Sequence, residues 1–169
     1  RKIITRINGY HGVTLGSASM TGKPYNGEFQ LPLNDFIHAD CPHYWKFSKE
    51  NETEEEFSIR MANNLEELIL REDANTIAAF VAEPVQGAGG VIPPSKNYFD
   101  LIQPILKNHN IPLVADEVIC GFGRTGNLWG CETYNIKPDI IISSKCLTAG
   151  YFPMGAVIVN KEFADEFTS

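Results

Sequence analysis

Hydrophobic residues along this chain follow two rhythms. Four runs are apolar with little alternation: 2–7 (KIITRI), 77–82 (IAAFVA), 111–115 (IPLVA) and 140–142 (III). Short runs of this kind suit strands covered on both faces, as in a parallel sheet. A further strand is expected from Gly155 to Val159. The second rhythm is helical. Phe57, Met61, Leu65 and Leu68 recur at helical spacing, and Thr53 with Glu56 matches a capping box. Together they predict a helix over 53–72. Ser95 is expected to cap a second helix running to Asn108, with Pro104 kinking it or lying near its first turns. Small residues from Gly16 to Ser19 suit a tightly packed helix. NLWGCETY suits a short one, and another starts at Glu162. Residues 22–51 show no period and read as a long irregular excursion. Alternating strands and helices predict an α/β fold, a mostly parallel sheet with flanking helices and right-handed crossovers.

Three of these strands are expected to deliver a charged residue at the carboxyl end: Glu83, Asp116 and Lys145. Ligands of open α/β sheets sit in the crevice beyond those ends. One such residue suits a salt bridge, and all three could form a salt-bridge network. Three at equivalent positions favour a site. A lysine in a partly desolvated pocket becomes a nucleophile towards carbonyl groups. An aspartate beside it can hold a protonated ring nitrogen. Pyridoxal phosphate needs both, a Schiff-base lysine and an acid partner for its pyridinium.

Composition narrows the field. With 169 residues the chain can build one domain with a real core. A net charge of −7 argues against a general nucleic-acid binder, and no apolar run approaches the roughly 20 residues of a membrane span. Cys41, Cys120, Cys131 and Cys146 are widely spaced, which suits reduced thiols in the cytoplasm. The chain opens at Arg1 inside a strand-like run and stops at Ser169 inside an amphipathic segment, as expected of a piece of a longer protein. GFGRTG spells a dinucleotide fingerprint, but the preceding strand ends at Asp116, too early for a turn onto a phosphate. His38, Asp40, Cys41 and His43 lie close together without metal-binding spacing, so no metal is expected. There is no G-x-S-x-G elbow. His11, next to Tyr10, reads as a core or hydrogen-bonding histidine.

VAEPVQGAGGVIPP, ADEVICGFGRTGNLWG, KPDIIISSK and LTAGYFPMGAV occur in that order. In these motifs the chain resembles the class III aminotransferases, pyridoxal-phosphate enzymes of fold type I. NGYHGVTLGSASMTGKPYN, CPHYWKF and ISSKCLTAGYFPMGAV look most like the omega-amino acid–pyruvate branch. The resemblance implies that residues 1–169 are the central part of the large domain, without its N-terminal segment and C-terminal small domain. It implies that Lys145 carries the cofactor and later shuttles a proton, and that Asp116 pairs with the pyridine nitrogen. Val118 would pack on one ring face and Tyr10 on the other. Glu83 would sit near substrate, where relatives use it to neutralise a carboxylate-binding arginine lying beyond Ser169. The implied reaction moves an amino group from an omega-amino acid or amine to a keto acid such as pyruvate, in a homodimer. Alternatives are an aminomutase, a decarboxylating relative or an inactive truncated remnant. Ile119 stands where several relatives have a ring-binding glutamine, a departure shared by the omega-amino-acid branch. The upstream phosphate-binding turn and the downstream threonine of the family fall outside the chain.

Overall fold

The computed structural model describes residues 1–168. Strand β1 (Lys2–Arg6) leads through α1 (Leu15–Met20) to β2 (Phe36–Ala39) and a single turn, α2 (Tyr44–Phe47). Helix α3 (Glu54–Arg71) precedes β3 (Ile77–Ala82), and α4 (Tyr98–Asn108) precedes β4 (Leu113–Asp116). The turn α5 (Gly130–Thr133), β5 (Ile140–Ser143), β6 (Ala156–Val159) and α6 (Lys161–Thr168) complete the order. The six strands lie in the order β2-β1-β3-β4-β5-β6. Every neighbouring pair is parallel except β5 and β6, which run antiparallel.

Helix α3 forms where the capping box places it. Thr53 Oγ1 accepts the Glu56 amide at 3.3 Å, and Glu56 Oε2 accepts the Thr53 amide at 2.8 Å. Its apolar stripe buries Phe57, Met61, Leu65 and Ile69 against Phe99, Ile102 and Leu106 of α4 and against Ile4, Phe80, Leu113 and Ala115 of the sheet. Each large side chain buried this way stabilises the fold by about 1.5–3 kcal/mol. The stripe decides which face of the sheet is core. Side chains alternate along a strand, so Ala115 in the core turns Asp116 to the opposite face.

Four expectations need correction. Residues 22–51 hold a sixth strand, β2, paired with β1 from Ile3↔Phe36 to Arg6↔Ala39. β6 closes the sheet antiparallel, because the Lys145–Gly155 segment is a hairpin-like return with no crossover helix. Ser95 does not cap α4. Its hydroxyl lies 2.8 Å from Ser58 Oγ of α3, and Asn97, at φ 62°, occupies the cap position. β5 stops at Ser143, two residues before the expected end. Lys145 instead begins a short 3-10 turn, Lys145–Thr148, at φ 42°.

Among the described residues no helix is long and apolar enough to cross a membrane.

Candidate active site

Register brings the chemistry-bearing residues to one edge. Ala82 pairs with Ala115, and Asp116 with Ile142. Glu83 therefore leaves β3 beside Asp116, and Lys145 follows β5 three residues after Ile142. From β1, the chain turns at Asn8 (φ 65°) and a tightly packed Gly9, where a Cβ would lie 2.9 Å from the Arg6 carbonyl oxygen. That turn carries Tyr10 and His11 across the same edge.

Asp116 is the centre of the arrangement. Its Oδ2 lies 2.7 Å from His11 Nδ1, and Oδ1 accepts the Val118 amide at 3.1 Å. Both side chains are nearly inaccessible, 7% exposed for Asp116 and 3% for His11. Each carboxylate oxygen still has a second lone pair for another donor. Sequence reasoning left His11 outside the site, because its partner lies 105 residues away.

Glu83 is buried too, but it serves the backbone. Oε1 accepts the Tyr10 amide at 3.0 Å and Oε2 the Gly87 amide at 2.8 Å. Arg6, sandwiched near the rings of Tyr98 and Phe99, donates to the Glu83 carbonyl oxygen. Glu117, which sequence reasoning did not single out, is 1% exposed. It accepts the Gly130 amide at 3.0 Å and the Cys131 amide at 2.7 Å, clamping α5 to the end of β4. A buried acid adjoining a strand-end acid was the available signal. Cys120 lies among these three carboxylates. Burial, and then the negative charges of Glu117, Glu83 and Asp116, push its thiol up to about 11.

The edge is thus lined by three buried acidic side chains, with His11 as the partner of Asp116. Such an acid-rich edge can accept a further cationic N–H, and Asp116 keeps lone pairs for one. Lys145 is exposed and forms no ion pair among the described residues, so no salt-bridge network joins the three strand ends. Val118 is half-buried, fixed by the Asp116 turn, and Tyr10 is half-buried above Glu83. His38, Asp40 and Cys41 turn to separate partners, Met20, Asn64 and Gln86. A cavity of about 630 Å³ opens at the opposite end of the sheet, near Lys107, Pro112 and Asp139, and contains none of these groups.

A family model described as aminotransferase class-III matches residues 1–169. The chain belongs to the class-III aminotransferase family. This aminotransferase chain is 57% identical over 166 residues to gamma aminobutyrate transaminase 3, chloroplastic, of Solanum lycopersicum, covering 98% of the chain and 32% of that protein. An omega-aminotransferase structure from Paracoccus denitrificans superposes with a TM-score of 0.96 at 65% identity, over 98% of this chain and 37% of that one. The PMP-bound form of an aminotransferase from Vibrio fluvialis superposes with a TM-score of 0.98 at 64% identity, over 99% and 37%. The chain therefore spans about a third of the length of these relatives. Its α/β sheet is that of the pyridoxal-phosphate transferases, as the motifs implied.

Proposed function

We propose that this chain is the central part of the large domain of an aminotransferase. That enzyme moves an amino group from an omega-amino acid or amine to a keto acid such as pyruvate, using pyridoxal phosphate. The observation that carries the proposal is the buried His11–Asp116 pair on β4, with the free amine of Lys145 leaving the adjacent strand. The PMP-bound relative adds support, since PMP is the aminated form of that cofactor.

When bound, the cofactor supplies an aldehyde for amines and a ring that accepts electrons. The chain's own residues supply the rest. Asp116, oriented by His11, holds a proton on the ring nitrogen. Lys145 Nζ would hold the cofactor at its aldehyde, and as a free amine it would move a proton to and from the substrate's amine-bearing carbon. Tyr10 and Val118, both half-buried at this edge, would cover the two ring faces and keep water from them. Glu83 stands near substrate. The net reaction would exchange the donor's amino group for the keto acid's carbonyl oxygen, so the donor would leave as a carbonyl compound and the keto acid as an amino acid. The sites belong to a homodimer. Four unpaired cysteines suit a reducing compartment such as the cytoplasm.

The full-length protein tests this. Visible absorbance should be lost in Lys145→Ala, and borohydride should fix the cofactor to the peptide carrying Lys145. Pyruvate should yield alanine. An unaltered spectrum and undiminished turnover in Lys145→Ala would defeat the proposal. Cofactor binding without alanine would point to an aminomutase or a decarboxylating reaction.

A further inference from the structure

The turn that carries Tyr10 and His11 across the sheet edge is fixed amide by amide. The Asn8 amide donates to Gly22 O at 2.8 Å, and the Gly9 amide to Arg6 O at 2.9 Å. Those two bonds use backbone acceptors, which most changes of sequence leave in place. The next two use side chains. The Tyr10 amide donates to Glu83 Oε1 at 3.0 Å, and the His11 amide to Thr21 Oγ1 at 2.9 Å.

Thr21 is 2% exposed and stands at the carboxyl end of α1. It is itself held at three atoms. Its amide and its hydroxyl each donate to Ser17 O at 3.0 Å, and its carbonyl oxygen accepts Asn26 Nδ2 at 2.8 Å. Asn26 is buried and also donates to Ala18 O at 2.8 Å, which anchors the end of α1. A hydroxyl that donates to Ser17 keeps its lone pairs for the His11 amide. Gly12, at φ 124°, turns the chain from His11 into α1. The His11 ring passes over Gly9, where a Cβ would stand 3.2 Å from Nε2. Thr21 thus holds the His11 backbone, and Gly9 leaves room for the ring.

We infer that Thr21 is a positioning residue of this site: by holding the His11 amide it aims the imidazole at Asp116. The inference rests on the proposed transamination, in which Asp116 receives the ring nitrogen of the cofactor. His11 Nδ1 reaches Asp116 Oδ2 at 2.7 Å, a separation that a small rotation of the turn would spoil. Thr21 acts through His11 alone, so its effect on the site must vanish once the imidazole is gone.

Thr21→Val, similar in shape but without the hydroxyl, and Thr21→Ser, which keeps it, test this in the full-length protein. Thr21→Val should weaken pyridoxal-phosphate affinity by about five- to tenfold, the weight of one buried hydrogen bond, and Thr21→Ser should restore most of it. In a His11→Phe background the same change should cost little further affinity, because the two residues act in series. The proton between His11 Nδ1 and Asp116 Oδ2 should give a downfield resonance in the purified protein. It should shift or broaden in Thr21→Val and return in Thr21→Ser. That signal needs neither turnover nor bound cofactor, so it tests Thr21 even where transamination itself fails. Asn26→Ala loosens Thr21 but keeps its hydroxyl, and it should move the resonance in the same way if Thr21→Val does not fold. Equal losses of affinity with and without His11 would overturn the inference, leaving Thr21 a purely structural role. A resonance unmoved in Thr21→Val, or in Asn26→Ala where that variant stands in for it, would overturn it too.

Discussion

His11 Nδ1 lies 2.7 Å from Asp116 Oδ2, joining the turn after the first strand to the end of the fourth across 105 residues. Both groups are almost fully buried, so the pair is shielded from salt and water. Losing the imidazole leaves a buried carboxylate oxygen without its donor, at a cost of about 1–3 kcal/mol. His11→Phe should therefore lower the thermal midpoint and weaken pyridoxal-phosphate binding together. His11→Gln, which keeps a donor, should recover part of both. Calorimetry and a visible titration on the full-length protein read the two effects. Full stability and affinity in His11→Phe would show that the pair is idle.

Gly130 marks the closest approach of α5 to the sheet edge. A Cβ there would lie 2.8 Å from the Cβ atoms of Cys120 and Pro84, and 3.1 Å from Glu117 Oε2. Backbone must shift to admit it, so Gly130→Ala should destabilise by about 1–3 kcal/mol. Urea unfolding checks this, and an unmoved midpoint would contradict the packing described.

The α3 cap has a pH signature. The amide and then the hydroxyl of Thr53 hold the Glu56 carboxyl below its ordinary 4.5. A depressed carboxyl contributes stability that is present above the unfolded value and is lost as pH falls through the folded one. Acid sensitivity from this group thus lies below pH 4.5. Thr53→Ala should cost about 1 kcal/mol near neutrality. Glu56→Gln should flatten the acid limb of the stability curve, and an identical acid limb would argue against the capping box.

Cys120 should be a poor nucleophile. Burial and three neighbouring carboxylates raise its thiol from 9.0 to about 11, and burial raises Cys131 further. Thiolate is the reactive form. In the native protein both should resist iodoacetamide at pH 8 and become reactive on unfolding, as mass spectrometry of the labelled peptides would record. Their raised values also mean that stability falls as pH climbs from about 9 towards 11. Rapid native labelling of Cys120 at pH 8 would contradict that environment.

Helix α3 was legible because every local signal agreed: the Thr53–Glu56 box, the apolar spacing and the absence of glycine or proline within it. β3, β4 and β5 were legible because unalternated apolar runs have few other uses. β2 was not, since Phe36–Ala39 is four residues at a sheet edge, defined only by its pairing with β1. Ser95 looked like a cap, but the hydroxyl of a helix 37 residues earlier takes it.

The order of residue types along the chain was enough to place Asp116 and Glu83 at strand ends and to identify the family, because local propensity and motif spacing are properties of neighbouring residues. Strand direction, as in β6, and the partners of buried acids were decided by the folded chain alone. Hydrogen bonds in a dry interior pair groups that are close in space, and His11 meets Asp116 only after the strands between them have assembled into the sheet.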